Sequence, residues 1–529
     1  VSFPTDRIRP RTTPPRPVRD LAHVFDFRLV GAVGEQAVSS VASDNRVVAA
    51  GDLFVALPGG HVHGARFAAD AVARGATAVL TDDDGVARLA GADELPVPVL
   101  VADDPRAVLG PVAAWVYGAP AEAIATFAVT GTNGKTTTAY QLDHVLRALG
   151  NTSGLIGTVE MRSGDRVLPS RLTTPEAADL QALLAAMRED GVRTLAMEVS
   201  SHALALHRVD GVRYGVAGFT NLSQDHLDFH GDMQSYFEAK ALLFTPEHAR
   251  RGVVVVDDPW GVRMAEAATI PVATLRTVAA GPQGPDLTAD WTVSEVAPQG
   301  TGSAFTITHT DGRRLRTSTS LPGHFNVANA ALAVVMVLEA GVHLDDVAEA
   351  LAGTGGVNGV VPGRMEVVGP GDAAHPRVVV DFAHNTEALD LALAALRPTT
   401  PGRVVLVFGA TGDRDTGKRP AMGAAAVAGA DVVVVTDDDP HGEDPAAVRA
   451  EVLAGARAAL AATTRTVDLR EIAPRATAIR TAIFEAASGD TVLVAGRGHE
   501  TVQEVGGVDV ELDDRVEARA ALQERTTTA

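Results

Sequence analysis

Lys135 stands between a glycine and three threonines in Gly131-Thr132-Asn133-Gly134-Lys135-Thr136-Thr137-Thr138, a spacing suited to holding phosphate. Glycines let backbone N–H groups converge on phosphate oxygens, the lysine brings a point charge, and a threonine hydroxyl can ligate magnesium. The common pattern has a glycine five positions before Gly134, where this sequence has Val129, so the loop is a shorter variant. Glu198 follows the apolar run 194–197 and can offer magnesium the hard oxygen it prefers. His226 and Lys240 lie further on. Taken singly, Glu198 reads as a salt-bridged acid, His226 as a satisfied polar residue and Lys240 as a solvated helix residue. Beside a phosphate loop they read as one site. With no cysteine in the chain, thiolate metal sites, disulfides and a cysteine nucleophile are all excluded.

Those residues need rigid elements behind them. Residues 125–130 read as a strand that enters the loop, and 139–149 as the helix leaving it. Short β-branched runs at 253–256, 378–380, 404–408, 432–435 and 492–495 alternate with helical stretches at 388–396, 446–461 and 473–487. Runs of that kind are strands buried on both faces, so the expectation is an α/β protein of βαβ units with mostly parallel sheets. At 529 residues three domains are expected. A disordered Arg/Pro-rich leader covers 1–20, an N-terminal domain 21–121, a central domain 122–360 and a C-terminal domain 361–529. The first boundary falls in the Gly-Ala-Pro stretch of 117–123 and the second in the glycine-rich 353–363; the Pro/Gly-rich patch 279–285 reads as a surface loop.

The balance of 46% hydrophobic and 21% charged residues is that of a folded globular chain. A formal charge of −21 opposes general affinity for nucleic acid or an anionic membrane. No apolar run reaches the roughly 18 residues of a membrane span, and the first twenty residues lack a signal-peptide core, so a cytoplasmic protein is expected.

The segment 130–138 resembles the signature of the Mur ligases and their folylpolyglutamate synthetase relatives. Met197-Glu198-Val199-Ser200-Ser201-His202-Ala203-Leu204, residues 220–231 and Tyr236-Phe237-Glu238-Ala239-Lys240 are similar to those of UDP-N-acetylmuramoyl-tripeptide synthetases. The resemblance runs from Gly51 to about Arg519. It implies a central P-loop-type ATPase sheet, an N-terminal UDP-binding domain and a C-terminal Rossmann-like domain. It also implies a monomer that uses ATP and magnesium to join a diamino acid to UDP-N-acetylmuramoyl-L-alanyl-D-glutamate through an acyl phosphate, in peptidoglycan precursor synthesis. Lys135, Glu198, His226 and Lys240 carry the catalytic roles, with Thr136 and Glu198 on one magnesium and His226 with a carbamylated Lys240 on a second. ATP is held by Gly131, Thr132, Asn133, Gly134, Lys135, Thr136 and Thr137, with Asn326, Asn329, Arg364 and Asp381 from the second half. Thr173, Thr174, Ser200 and Arg208 serve the muropeptide, although Leu206 stands where the family has a glutamine. Asn45 is the uracil-side candidate, in Asp44-Asn45-Arg46 where the family has Asp-Ser-Arg.

For the amino acid, the resemblance assigns Arg414, Asp438, Asp439, His441, Gly496 and Glu500. Enzymes that add meso-diaminopimelate usually read Asp-Asn-Pro-Arg where this chain reads Asp438-Asp439-Pro440-His441. Diaminopimelate ends in a carboxylate that suits a bidentate arginine, whereas lysine or ornithine ends in an ammonium that suits carboxylates. L-Lysine or L-ornithine is therefore expected, with meso-diaminopimelate as the alternative. A folate-extending ligase explains the C-terminal motifs poorly. An inactive nucleotide-binding scaffold would be expected to have lost Lys135, Glu198, His226 or Lys240, and a dehydrogenase lacks the glycine fingerprint after its first strand.

Overall fold

The computed structural model describes residues 8–31, 33–89, 95–168, 172–277, 288–369, 374–413 and 416–528. The patch 279–285 and Arg414 lie outside the described residues. Among the described residues three large sheets follow one another along the chain, beside two two-stranded ribbons, Arg16–Pro17 with Ala37–Val38 and Val502–Val505 with Val508–Glu511. In the N-terminal sheet the order is Arg28–Val30, Val99–Val101, Ala78–Thr81, Asp52–Val55, Ser40–Ala42, parallel except for the first pair.

The central sheet has a parallel core in the order Ser153–Ile156, Thr194–Glu198, Ala125–Thr130, Tyr214–Phe219, Ala249–Val255, Val272–Arg276. A hairpin, Met161–Ser163 with Arg166–Leu168, closes one edge, and the antiparallel strands Trp291–Gln299, Gly302–His309 and Arg314–Thr319 close the other. Strand Ala125–Thr130 is central and buried from its second residue onward, as its unbroken apolar run dictates. Helices Lys135–Ala148 and His324–Glu339 cover one face, and Ala177–Glu189 lies against the other. The C-terminal sheet runs Glu366–Val368, Arg377–Asp381, Thr491–Ala495, Val404–Phe408, Val432–Val435, Asp468–Glu471, parallel after its first strand. Its last strand in sequence inserts between the first two parallel ones, so 381–385 and 496–500 emerge side by side. Among the described residues no helix is long and apolar enough to cross a membrane.

Two expectations need correction. The helix after the phosphate loop starts at Lys135, four residues earlier than its apolar pattern suggested, because Gly134 at φ 88° turns the chain directly into it. The described part of the leader, residues 8–20, is ordered. Arg9 clamps the fully buried Asp52 with two hydrogen bonds, at 2.6 and 2.7 Å. Next, Thr12 and the Arg11 amide bind Glu189 of the central domain, Arg16–Pro17 pairs with Ala37–Val38, and helix Val18–Val24 begins. An ion pair with a carboxylate 43 positions away orders a stretch whose composition alone reads as disorder.

The N-terminal and central domains meet closely. A Cβ at Gly110, in helix Pro105–Val116, would stand 2.0 Å from the Asp210 carbonyl oxygen, and Arg188 donates to the carbonyls of Tyr117 and Gly118. The passage to the C-terminal domain lies along the phosphate-loop helix. There His144 meets the Gly356 carbonyl at 3.1 Å and Val357 bridges to Thr319.

Candidate active site

The carboxyl ends of the parallel central strands converge, as ligand sites in such sheets do. Strand Ala125–Thr130 releases the loop, Thr194–Glu198 ends in Glu198, and Tyr214–Phe219 leads into Thr220 and Asn221. Asn221 accepts from the Asn133 amide at 2.9 Å, and Thr220 donates to the Asn133 carbonyl at 2.7 Å, fixing the loop's tip. Gly131 and Gly134 both have positive φ. A Cβ on Gly131 would lie 1.8 Å from Thr220 Oγ1, and one on Gly134 would lie 2.4 Å from Asn329 Oδ1, so only glycine fits either position.

Glu198 is fully buried and accepts from Thr136 Oγ1 at 2.9 Å, the Thr158 amide at 2.8 Å and Thr158 Oγ1 at 3.1 Å. Lys135 Nζ folds back onto the carbonyls of Gly131 and Thr132. Lys240, in helix Met233–Ala241, is 1% exposed; its Nζ donates to the Gly131 carbonyl at 2.7 Å and lies 4.5 Å from the centre of the Tyr236 ring. Burial pushes Lys135 below the usual lysine range and Lys240 well below it, Lys135 adding to the effect on Lys240. His226 sits at φ 54° with its ring edge-on to His202 at 4.9 Å, and burial pulls it down to about 4. Its neighbour Asp225 lies 3.7 Å from the His226 ring and 3.9 Å from that of His384 in the C-terminal domain.

Around the loop, Thr137 is buried in the helix's first turn, and Thr132 Oγ1 is 3.2 Å from Tyr236 Oη. Asn329 Oδ1 accepts from Thr138 at 3.3 Å and its amide donates to Asn326. Arg364 reaches over from the C-terminal domain, 4.2 Å above the Phe382 ring and 3.5 Å from Thr136 Oγ1. Asp381 anchors the Met365 and Ala383 amides.

Of the muropeptide candidates, Thr173 and Thr174 lie against the Glu198 strand end. Thr173 Oγ1 is 3.0 Å from Thr158 Oγ1, and Thr174 Oγ1 donates to the Glu198 carbonyl and accepts from the Ser200 amide. Ser200 caps helix Ser201–Ala205, and Arg208 pairs with Glu176 at 2.9 Å. Asn45 is not brought to this cluster: it sits in the N-terminal domain, its amide donating to Asp70 at 2.7 Å.

The amino-acid candidates gather at the ends of strands Thr491–Ala495 and Val432–Val435. Asp438 is 5% exposed, and its Oδ2 is buried without a hydrogen-bond partner among the described residues. That oxygen would lie 2.2 Å from a Cβ on Gly496. Burial, reinforced by Asp438, pushes the Glu500 carboxyl up to about 8. Asp439 is committed elsewhere, its Oδ1 2.8 Å from Arg497 Nη1 in an ion pair not aligned as a hydrogen bond, while it also accepts from the Glu504 amide. The His441 ring meets Glu504 at 3.0 Å. Glu500 lies 3.9 Å from the same Arg497 nitrogen, a looser pairing than that of Asp439, and Asp438 Oδ2 is the carboxylate oxygen left without a partner among the described residues. Three buried arginines escaped the sequence reading. Arg419 ties Thr411 to Glu443, Arg475 pairs with Asp514 beneath Asp437 and Ala495, and Arg497 holds the carbonyl of Val502. Arg497 lies in Gly496-Arg497-Gly498-His499-Glu500 and Arg419 in the segment 412–420, both similar to those of tripeptide synthetases; for Arg475 no sequence signal separates a buried arginine from a surface one.

Comparison with known proteins agrees with this layout. The Mur ligase family catalytic domain matches residues 37–115, the Mur ligase middle domain 129–337, and the Mur ligase glutamate ligase domain 363–498. A UDP-N-acetylmuramyl-tripeptide synthetase of Leifsonia xyli is 48% identical over 517 residues, 98% of each chain. A UDP-N-acetylmuramoyl-L-alanyl-D-glutamate--2,6-diaminopimelate ligase of Streptomyces coelicolor is 47% identical, covering 96% of this chain and 98% of that one. A solved structure of a ligase named for the same 2,6-diaminopimelate reaction superposes with a TM-score of 0.64 at 29% identity, covering 97% of this chain and all of that one. MurF from Acinetobacter baumannii shares the fold at a TM-score of 0.63 and 18% identity, over 92% and 96% of the chains. The chain belongs to the Mur ligase family, three-domain ATP- and magnesium-dependent ligases that form carbon–nitrogen bonds.

Proposed function

We propose that this protein forms the UDP-N-acetylmuramoyl tripeptide, adding a diamino acid to the D-glutamate of UDP-N-acetylmuramoyl-L-alanyl-D-glutamate in the cytoplasm. One observation carries the reading. Lys240, buried and without a carboxylate partner among the described residues, shares the Gly131 carbonyl with Lys135 beside the Thr136–Glu198 pair. Two lysine nitrogens at one loop carbonyl suit a site whose ligands, phosphate and magnesium, arrive from solution.

The donors fit magnesium, which keeps several waters and needs one or two protein carboxylates plus phosphate, so a cage of three acids or histidines is not required. None is formed among the described residues. Thr136 and Glu198 would hold one ion, and His226 with a carbamylated Lys240 a second; bound magnesium would screen phosphate charge. Lys240 is suited to carbamylation because burial lowers it well below the usual lysine range, which favours the neutral amine that attacks carbon dioxide. The substrate carboxylate takes the γ-phosphoryl group of ATP, expelling ADP. The incoming amine, having lost a proton, then attacks the acyl carbon and expels phosphate. Lys135 and the loop amides hold the transferring group, and Arg364 screens it from the C-terminal side.

L-Lysine or L-ornithine is the favoured diamino acid. Asp438 Oδ2 and Glu500 offer carboxylate oxygens to an ammonium, while Arg497 is turned inward and position 441 carries no guanidinium. The relatives named for 2,6-diaminopimelate support the second reading, meso-diaminopimelate. The test is ADP release with the muropeptide, ATP and magnesium, comparing the three amino acids and identifying the product by mass, with Lys135→Ala as control. Preferential turnover of meso-diaminopimelate overturns the lysine or ornithine preference, and turnover with none overturns the ligase reading.

A further inference from the structure

His499 lies in the amino-acid segment 496–500 but faces the nucleotide side. Its Nδ1 is 3.4 Å from Arg364 Nη1, its ring packs on Phe382 at 5.3 Å, and the backbone of Thr158 in the central domain lies beside the ring. The Arg364 and Thr158 contacts lead to the same carboxylate. Arg364 reaches Thr136, whose hydroxyl binds Glu198, and Thr158 binds Glu198 through both its amide and its hydroxyl. The approach is backbone-tight: a Cβ on Gly363 would stand 2.2 Å from the His499 nitrogen, and one on Gly498 would stand 2.6 Å from the Gly363 carbonyl oxygen. Only glycines let the segment come this close, and Arg515 holds it from behind through the His499 carbonyl at 3.3 Å.

We propose that His499 is a positioning residue, a latch that aligns Arg364 over the phosphate loop and fixes the Thr158 turn behind Glu198 when segment 496–500 docks on the central domain. One ring nitrogen accepts from Arg364 and the other can donate to the Thr158 backbone beside it, so the neutral imidazole serves both domains at once. Burial, with Arg364 and Arg515 nearby, holds the ring down to about 3, which keeps that form through the neutral range. Docking of the segment that carries Glu500 would thereby complete the phosphoryl-transfer site, coupling the two halves of the reaction through one side chain. The proposal rests on the ligase reading for its turnover arm only.

The test compares wild type with His499→Ala, His499→Asn, which keeps a polar group near Arg364, and His499→Gln, which keeps one near Thr158. Calorimetric affinity for a non-hydrolysable ATP analogue with magnesium is measured alongside kcat and KM for each substrate. Loss of the latch is expected to weaken analogue binding and lower kcat by about tenfold to a hundredfold in His499→Ala, the loss of one hydrogen bond to a charged group. The muropeptide KM and the melting temperature should hold, with partial recovery in His499→Asn or His499→Gln. Analogue affinity and kcat within about twofold of wild type in all three variants overturn the proposal. A wild type that binds the analogue but turns over no diamino acid counts against the ligase reading alone, and the affinity arm still decides the latch.

Discussion

Thr136 Oγ1 donates to Glu198 Oε2 at 2.9 Å, joining the first turn of the phosphate-loop helix to the end of the neighbouring parallel strand. The hydrogen bonds Glu198 receives come from two hydroxyls and one backbone amide, which leave its full negative charge available to a cation. Glu198→Gln keeps the shape and removes the charge. Turnover in that variant is expected to fall by about a hundredfold or more, with a higher magnesium concentration needed for half-maximal rate. A magnesium titration of rate that matches wild type would falsify the role of this carboxylate.

Lys240 is expected to carry a carbamate under bicarbonate. Protein equilibrated with 13C-bicarbonate should give a carbonyl-region NMR signal that is absent from Lys240→Ala, and that variant should lose turnover while still melting cooperatively. A spectrum identical in the two proteins removes the second magnesium ligand from the scheme.

Glu500 makes the amino-acid pocket pH-dependent. Its carboxyl is raised from 4.5 to about 8, mainly by burial and then by Asp438, so the free protein holds the proton through neutrality. A raised carboxyl stabilises the fold fully below its unfolded value, and that contribution is lost as pH climbs through about 8. Wild type should therefore lose melting temperature between pH 6 and about 9 more steeply than Glu500→Gln. Over the same window the KM for the diamino acid should fall, because an ammonium prefers the ionised group. Parallel melting curves for the two proteins across this range would count against the shift.

Substrate choice can be moved by two changes. Asp439→Asn with His441→Arg restores Asp-Asn-Pro-Arg, frees Arg497 from its partner at 2.8 Å and places a guanidinium where Glu504 now holds an imidazole. The ratio of kcat/KM for meso-diaminopimelate over L-lysine is expected to rise by about tenfold to a hundredfold, the worth of one bidentate carboxylate contact. An unchanged ratio would mean that selectivity lies elsewhere.

Arg9→Ala strips a fully buried Asp52 of the one guanidinium that meets it among the described residues. Removing one partner of such a pair costs about 3 kcal/mol, so the thermal transition should drop by several degrees with muropeptide turnover at low temperature retained. A melting curve superposable on wild type would leave the strap without a stabilising role.

Much of this architecture could be read from residue order. The valine-rich runs at 404–408 and 432–435 became strands with those same bounds, since four or five consecutive apolar residues rich in valine and flanked by turn signals bury both faces as a strand. Lys135, Thr136 and Glu198 were legible because a phosphate loop and the adjacent parallel strand end must meet. Arg9 was misread because its partner lies 43 residues away, and composition does not encode pairing. His441 was read as part of the pocket, but its ring is held by Glu504, 63 residues later. Arg419, Arg475 and Arg497 are at most 1% exposed, and even where a motif contains the arginine its residue types do not tell a guanidinium that braces a loop from one that faces a ligand.

The seam at Gly110 and Asp210 allows no side chain between the N-terminal and central domains. Under the proposed reading, one of these bodies anchors the uridine end of a long substrate and the other activates its far carboxylate. A span held rigid at both ends works as a caliper: a donor one residue shorter would leave its carboxylate short of the phosphate loop, and one residue longer would overshoot it. Stem length would then be measured by the frame itself before any amino-acid pocket is consulted.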